Sequence, residues 1–208
     1  MGGMIFSCAH CVGTKEGEQI IPEEGAAVPR VMTTKADKKK LLKLKELSLY
    51  IAEQCRDIAR FGNVKLNKIL YYADFEAYRV WGEPITGATY QRDTYGPVPL
   101  GMRAAREELQ RERAAIVLAD ERRQKRLVPL RPAVTKHFKP EELALVKAVV
   151  EEFRHRTAGY LSRESHKRAG WRLAKPGEEI PYYTAFIPDV PLKLTEGELE
   201  WARQMARA

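Results

Sequence analysis

Few residues in this chain have the types and spacing that chemistry demands. Cys8-Ala9-His10-Cys11 has the spacing of half a zinc site. A structural zinc takes four ligands, and no second pair follows. The remaining cysteine, Cys55, falls on an apolar helical stripe. No metal is therefore expected within one chain; a site shared across a dimer is the arrangement that would gather four thiolates. Ser162, Ser165 and His166 are the candidates for a nucleophile and its base. Adjacent helical residues point about 100° apart, which is poor geometry for proton transfer between Ser165 and His166. An orienting acid and a Gly-rich oxyanion turn are also wanting. No phosphate-binding loop, dinucleotide fingerprint, HExxH or GxSxG motif occurs. Glu178-Glu179, between Pro176 and Pro181, reads as an exposed turn. The expectation is no catalytic residue and no cofactor, with His166 a packed or interface histidine.

The remaining chemistry is that of binding. The formal net charge is +8, which favours an acidic partner, either nucleic acid or an acidic protein surface. Lys35, Lys38, Lys39, Lys40, Lys43 and Lys45 crowd one stretch, but they overlap an amphipathic helix and read first as its solvated face. Tyrosines recur at 71, 72, 78, 90, 95, 182 and 183, with Trp171 among them. Some must fill the core; Tyr71 and Tyr72 are successive on a helix, so at least one is expected nearer the surface, where aromatic anchors serve protein binding. Stacking on single-stranded bases is the rival use of such rings, but no RNA-binding signature accompanies them.

The elements that position these residues follow from periodicity. The central stretch is Lys65–Pro99. Leu66, Ile69, Leu70, Ala73, Ala77, Val80 and Trp81 recur at helical spacing, with Gly62-Asn63 before them and Gly82 as a left-handed cap after them. Glu83-Pro84 stops the helix, and Ile85–Tyr90 reads as extended. Tyr95-Gly96-Pro97-Val98-Pro99 is a turn whose prolines open the next helix, Val98–Arg113, with Leu100, Ala104 and Leu109 inward. Upstream, Leu41, Leu44, Leu47, Ile51, Cys55 and Ile58 form the buried stripe of an earlier helix. Ala115–Ala119 and Gln124–Leu130 read as strands joined by a polar hairpin loop at Asp120–Arg123, forming a small sheet with the Ala88–Tyr95 segment. Pro140 starts a helix with Leu143, Val146, Val149, Val150 and Phe153 inward, and Thr157 caps a shorter one running through His166. Ile180–Pro191 reads as extended. Thr195-Glu196-Gly197-Glu198 is a capping box for a last short helix. The fold class is mainly α (α+β), a compact helical domain with a small antiparallel sheet or hairpin. Residues 1–34 lack periodic apolar residues and are expected to be a disordered tail, with Met32 an alternative start. The odd cysteine count fits a reducing compartment. No window approaches the roughly 18 consecutive apolar residues that span a bilayer, so a cytoplasmic protein without a membrane partner is expected.

The wording of Lys65–Pro99 resembles the signature of the Panacea domain, the SocA-like antitoxin family. Leu161-Ser162-Arg163-Glu164-Ser165-His166 followed by Gly170-Trp171-Arg172 resembles that family's C-terminal block. The resemblance extends over residues 41–190, within a domain of residues 35–208. It implies an antitoxin that neutralises a cognate toxin, encoded by an adjacent gene, through direct protein–protein contact. The contact residues expected around the two blocks are Tyr90, Arg92, Tyr95, Pro97, Arg103, His166, Trp171 and Arg172. Aromatics on a rigid proline turn offer contact area at low entropic cost, and the arginines form a basic rim. The competing expectation is that signature residues build the fold and leave specificity to other surfaces. A nucleic-acid-binding regulator, with Leu41–Lys68 as a weak helix-turn-helix, and a proteolytic adaptor are the alternative functions.

Overall fold

A computed structural model describes residues 34–58, 60–119, 125–189 and 195–205, all within the compact unit Met32–Ala208. Cys8, Cys11 and the Asp120–Arg123 loop lie outside the described residues, as does the expected tail up to residue 33. Thr34 does not belong to a tail. It caps helix α1 (Lys35–Gln54), its hydroxyl accepting from the Asp37 backbone N–H at 3.1 Å while the Asp37 carboxylate accepts from the Thr34 N–H at 3.4 Å.

Helix α2 (Asn63–Trp81) is the centre of the molecule. Its ends lie where the glycines put them, with Gly62 as N-cap and Gly82 left-handed at φ 74°. Every residue from Lys65 to Phe75 is buried, because α2 is packed on several sides at once. Against it lie α1, α4 (Pro140–Phe153), α5 (Ala158–Lys167) and a 3₁₀ turn at Tyr182–Phe186. Both Tyr71 and Tyr72 are consequently inside, contrary to the expectation that one would reach the surface. Over Lys65–Phe75 the helix has no solvent-facing side, so successive positions there need not divide between core and solvent.

The sheet content differs from the expected single sheet. Strands β3 (Ala115–Ala119) and β4 (Lys125–Pro129) pair only with each other, Ala115 opposite Pro129 and Ala119 opposite Lys125. A separate antiparallel sheet places β1 (Tyr90–Gln91) between β2 (Val98–Pro99) and β5 (Glu179–Ile180). The prolines therefore do not open a helix. Pro99 is buried opposite Tyr90, and α3 (Met102–Arg111) begins after a left-handed Gly101. Its buried side is Met102, Ala105 and Leu109, leaving Leu100 exposed. Residues 182–186 curl into the 3₁₀ turn instead of staying extended.

Several charges are structural. Lys45 is buried and holds Glu108 at 3.0 Å and Glu112 at 2.5 Å, tying α1 to α3. Lys43 donates to the Ile85 carbonyl at 2.9 Å and pairs with Glu142 at 3.3 Å. Two lysines of the run are thus used within the fold, and not merely solvated. Glu46 is buried too; its carboxylate accepts from Arg131 at 2.6 and 2.9 Å and from the Val134 N–H at 2.7 Å. Burial alone would raise its pKa, yet these partners hold it below the ordinary value. Helix α5 starts at the Thr157 cap, as its sequence predicts, and α6 (Ala169–Leu173) follows after a break at Arg168. Gly170 lets α6 approach the 3₁₀ turn: a Cβ there would lie 2.4 Å from the Thr184 hydroxyl and 2.6 Å from the Ile180 side chain. The last helix, α7, spans Glu196–Met205.

Candidate functional site

The two sequence blocks meet at one turn. Residues 93–97 leave β1 and run over α2, α5 and α6 before returning as β2. Gly96 makes this approach possible. It sits at φ +98°, and a Cβ would fall 2.3 Å from the Ser165 hydroxyl and 2.7 Å from Lys68 Cε. Lys68 rises from α2 beneath the turn and donates from Nζ to the Pro97 carbonyl at 3.0 Å. It is fully buried, and that burial pulls its pKa down to about 8, against the opposing pull of the Asp93 charge. From above, the Ser162 hydroxyl donates to the Tyr95 carbonyl at 2.9 Å, and the Trp171 indole N–H donates to the Asp93 carbonyl at 3.2 Å. Three side chains from separate helices therefore hold three backbone carbonyls of one turn.

Beside the turn lies a stack of three planar groups. The Arg92 guanidinium carbon is 4.0 Å from the Trp171 ring centroid, and the His166 ring lies 3.9 Å from it at an interplanar angle of 14°. Arg92 is further held by donating to the Ala174 carbonyl at 2.5 Å. Burial, then repulsion from Lys68 and Arg92, keeps the His166 pKa below its ordinary value. Its Nε2 is buried and finds no hydrogen-bond partner among the described residues.

The structure brings Arg92, Tyr95, Pro97, His166 and Trp171 into this one neighbourhood. Tyr95 is 66% exposed, whereas Pro97 is buried and contributes its carbonyl. Arg172 is exposed at the same end of α6 and donates to the Asp189 carbonyl at 3.3 Å. Arg103 stands on α3 with its side chain 91% exposed, paired with Glu107 at 2.9 Å. Tyr90 is a different matter. It is 0% exposed, and its ring is a core residue that cannot touch a partner in this conformation. Its hydroxyl donates to Asp74 at 2.8 Å. Ser165 and His166 form no catalytic pair, since the Ser165 hydroxyl donates to the Ser162 carbonyl at 2.8 Å and His166 turns to Trp171. Among the described residues, no group of His, Cys, Asp and Glu could hold a metal ion.

Sequence reasoning missed Asp74 and Lys68. Asp74 is wholly buried and accepts from the Thr86 N–H at 2.7 Å, from the Thr86 hydroxyl and from Tyr90. Burial raises its pKa and the hydrogen bonds resist that rise. Around it Tyr71, Phe75, Tyr90 and Tyr182 pack ring against ring, with centroids 4.2 to 6.2 Å apart. The signal was present in the sequence: Ala73-Asp74-Phe75 and Asn67-Lys68-Ile69 put charges inside an apolar run, and an ionisable group there demands a partner.

A family model described as antitoxin SocA-like, Panacea domain, matches residues 66–172, slightly more than half of the chain. No curated protein and no solved structure matches. None of the helices among the described residues is long and apolar enough to cross a membrane.

Proposed function

We propose, because this chain belongs to the SocA-like antitoxin, Panacea domain family, that it neutralises a cognate toxin by binding it directly through the face around the Asp93–Pro97 turn. The observation that carries this reading is where the matched span begins and ends. It runs from Leu66 to Arg172, and Lys68 and Trp171, each within two residues of one of its ends, both donate to this turn. Tyr95 stands out from a backbone that side chains pin on both sides, so little ordering entropy is lost when it is covered. Arg92, Arg103, His166, Trp171 and Arg172 supply further contact area and a basic rim that would steer an acidic toxin surface. Pro97 acts through its carbonyl, and Tyr90 by supporting β1 from within. In this reading residues 34–208 suffice for neutralisation, and deletion of the first 33 leaves both rescue and melting temperature unchanged.

The test is co-expression with the product of the adjacent gene. Growth rescue and co-purification are expected. Tyr95→Ala and Arg92→Glu are expected to abolish rescue; Tyr95→Ala should do so with the melting temperature intact. A neighbouring product that is harmless alone, together with sequence-selective DNA binding by the purified chain, would instead favour the regulator reading. Rescue that survives both substitutions would move the contact to another surface.

A further inference from the structure

A second surface is built from other residues. Helices α2 and α4, together with Arg168 and residues of 184–189, line an open groove of about 370 Å³. Its floor is aromatic, with Tyr71, Phe75 and the contacting pair Tyr72–Phe153, whose ring centroids are 4.7 Å apart. Two of its sides carry helical stripes, Tyr72, Glu76 and Arg79 on α2 and Leu145, Val149 and Glu152 on α4. The spacing i, i+4, i+7 on both walls gives a slot about 10 Å long at 1.5 Å per residue, roughly two turns of a third helix. Ile187 lines the groove as well, and its neighbour Phe186 is 60% exposed.

The charges at the rim choose among occupants. Arg79 pairs with Glu76 at 2.9 Å and Arg168 with Asp189 at 2.8 Å, so these four cancel. Glu152 is exposed and, among the described residues, forms no ion pair. The slot therefore carries one net negative charge in a chain of net charge +8. The sequence of α7 has Glu196, Glu198 and Glu200 against a single Arg203, a poor complement to that rim.

We propose that the α2–α4 groove docks an amphipathic helix of a partner protein, one carrying Lys or Arg beside its apolar stripe. The apolar residues of that helix would cover Leu145, Val149 and the floor rings. Its basic side chain would lie along the wall and bring its charge to Glu152. The inference does not rest on the turn face or on the toxin reading.

The experiment uses two fluorescein-labelled peptides of about 18 residues, one a Leu/Lys amphipathic helix and the other its Leu/Glu counterpart, titrated into the full chain by fluorescence anisotropy. The overall charge of the protein favours the Glu peptide; the groove favours the Lys peptide. The expected result is that the Lys peptide binds at least about tenfold more tightly. Ala148→Trp, at an exposed position on the wall, and Glu152→Lys should each weaken that binding about tenfold or more with the melting temperature unchanged. Tyr95→Ala, on the turn, should leave it intact. Equal or tighter binding of the Glu peptide overturns the proposal, as does indifference to Ala148→Trp. Binding that appears only after residues 195–208 are deleted would make the chain's own α7 the occupant. A dimer that Ala148→Trp dissociates would make it a second copy. Either outcome also overturns the proposal.

Discussion

Asp74 and Tyr95 lie in the same signature stretch, and their surroundings are opposite. Asp74 is sealed in the core, and its donors Thr86 and Tyr90 lie in the segment that follows α2. Tyr95 projects into solvent, while the backbone beneath it is held by Ser162, Lys68 and Trp171 at the positions around it. One half of the stretch thus fixes how the chain leaves α2; the other holds a turn still. The comparison teaches that a dense sequence signature can contain two jobs, and that burial and hydrogen bonding separate them where spacing cannot. It also resolves part of the competition between contact and scaffold, since Tyr90 is scaffold.

The largest effect is expected at Asp74. Asp74→Ala strands the Thr86 N–H, the Thr86 hydroxyl and the Tyr90 hydroxyl in a site without water access, costing about 3–5 kcal/mol in denaturant unfolding. Asp74→Asn keeps one acceptor oxygen and should lose about half as much. Equal losses in the two variants would mean that one retained acceptor oxygen contributes nothing and that the whole carboxylate is required.

Next comes Gly96→Ala. The new Cβ would meet Ser165 Oγ at 2.3 Å in a left-handed backbone, for an expected loss of about 2–3 kcal/mol. Adding Ser165→Ala removes one of the two clashes, and the double variant should recover about 1 kcal/mol relative to the sum of the single changes. Strict additivity would show that the turn shifts away from α5 to accommodate the methyl.

Lys68 gives a smaller effect with a defined sign. Its folded pKa is about 8 against an ordinary value of 10.5. Between these values the unfolded chain binds more protons, so stability contributed at this position rises with pH. Measured as wild type minus Lys68→Met, the difference should move in favour of wild type by about 2 kcal/mol from pH 7 to pH 9.5. A flat difference would mean that Lys68 remains charged throughout and that the turn's carbonyls solvate it.

What the sequence made legible was local. The limits of α2 follow from Gly62 and Gly82, the start of α4 from Pro140 and that of α5 from Thr157, because each signal acts within one turn of its own helix. The partners of β1 were not legible. Tyr90 pairs with Pro99 and with Ile180, and two-residue strands carry no alternation from which to read a register. The start of α3 was misread for a related reason, since a proline suits both a first helical turn and a strand edge, and only the approach of β1 decides. At the candidate site, Arg92, Tyr95, His166 and Trp171 were legible as types. Lys68 was not, because its purpose exists only once Pro97 returns over it.

The smallest effect should be that of Tyr95→Ala on stability, and it is the sharpest use of the comparison. Tyr95 neighbours Gly96, so the two substitutions alter adjacent positions of one turn. Tyr95 is 66% exposed, and the turn's described anchors engage only backbone carbonyls. Truncating an exposed side chain under those conditions should change unfolding free energy by less than about 0.5 kcal/mol, while the anchors and the hydrogen exchange of α2 stay as they were. A loss comparable to that of Gly96→Ala would mean that the ring itself props the turn against α5. Tyr95 would then join Tyr90 and Asp74 in the scaffold, and the contact residues would have to be sought on Arg92, Trp171 and the exposed arginines alone.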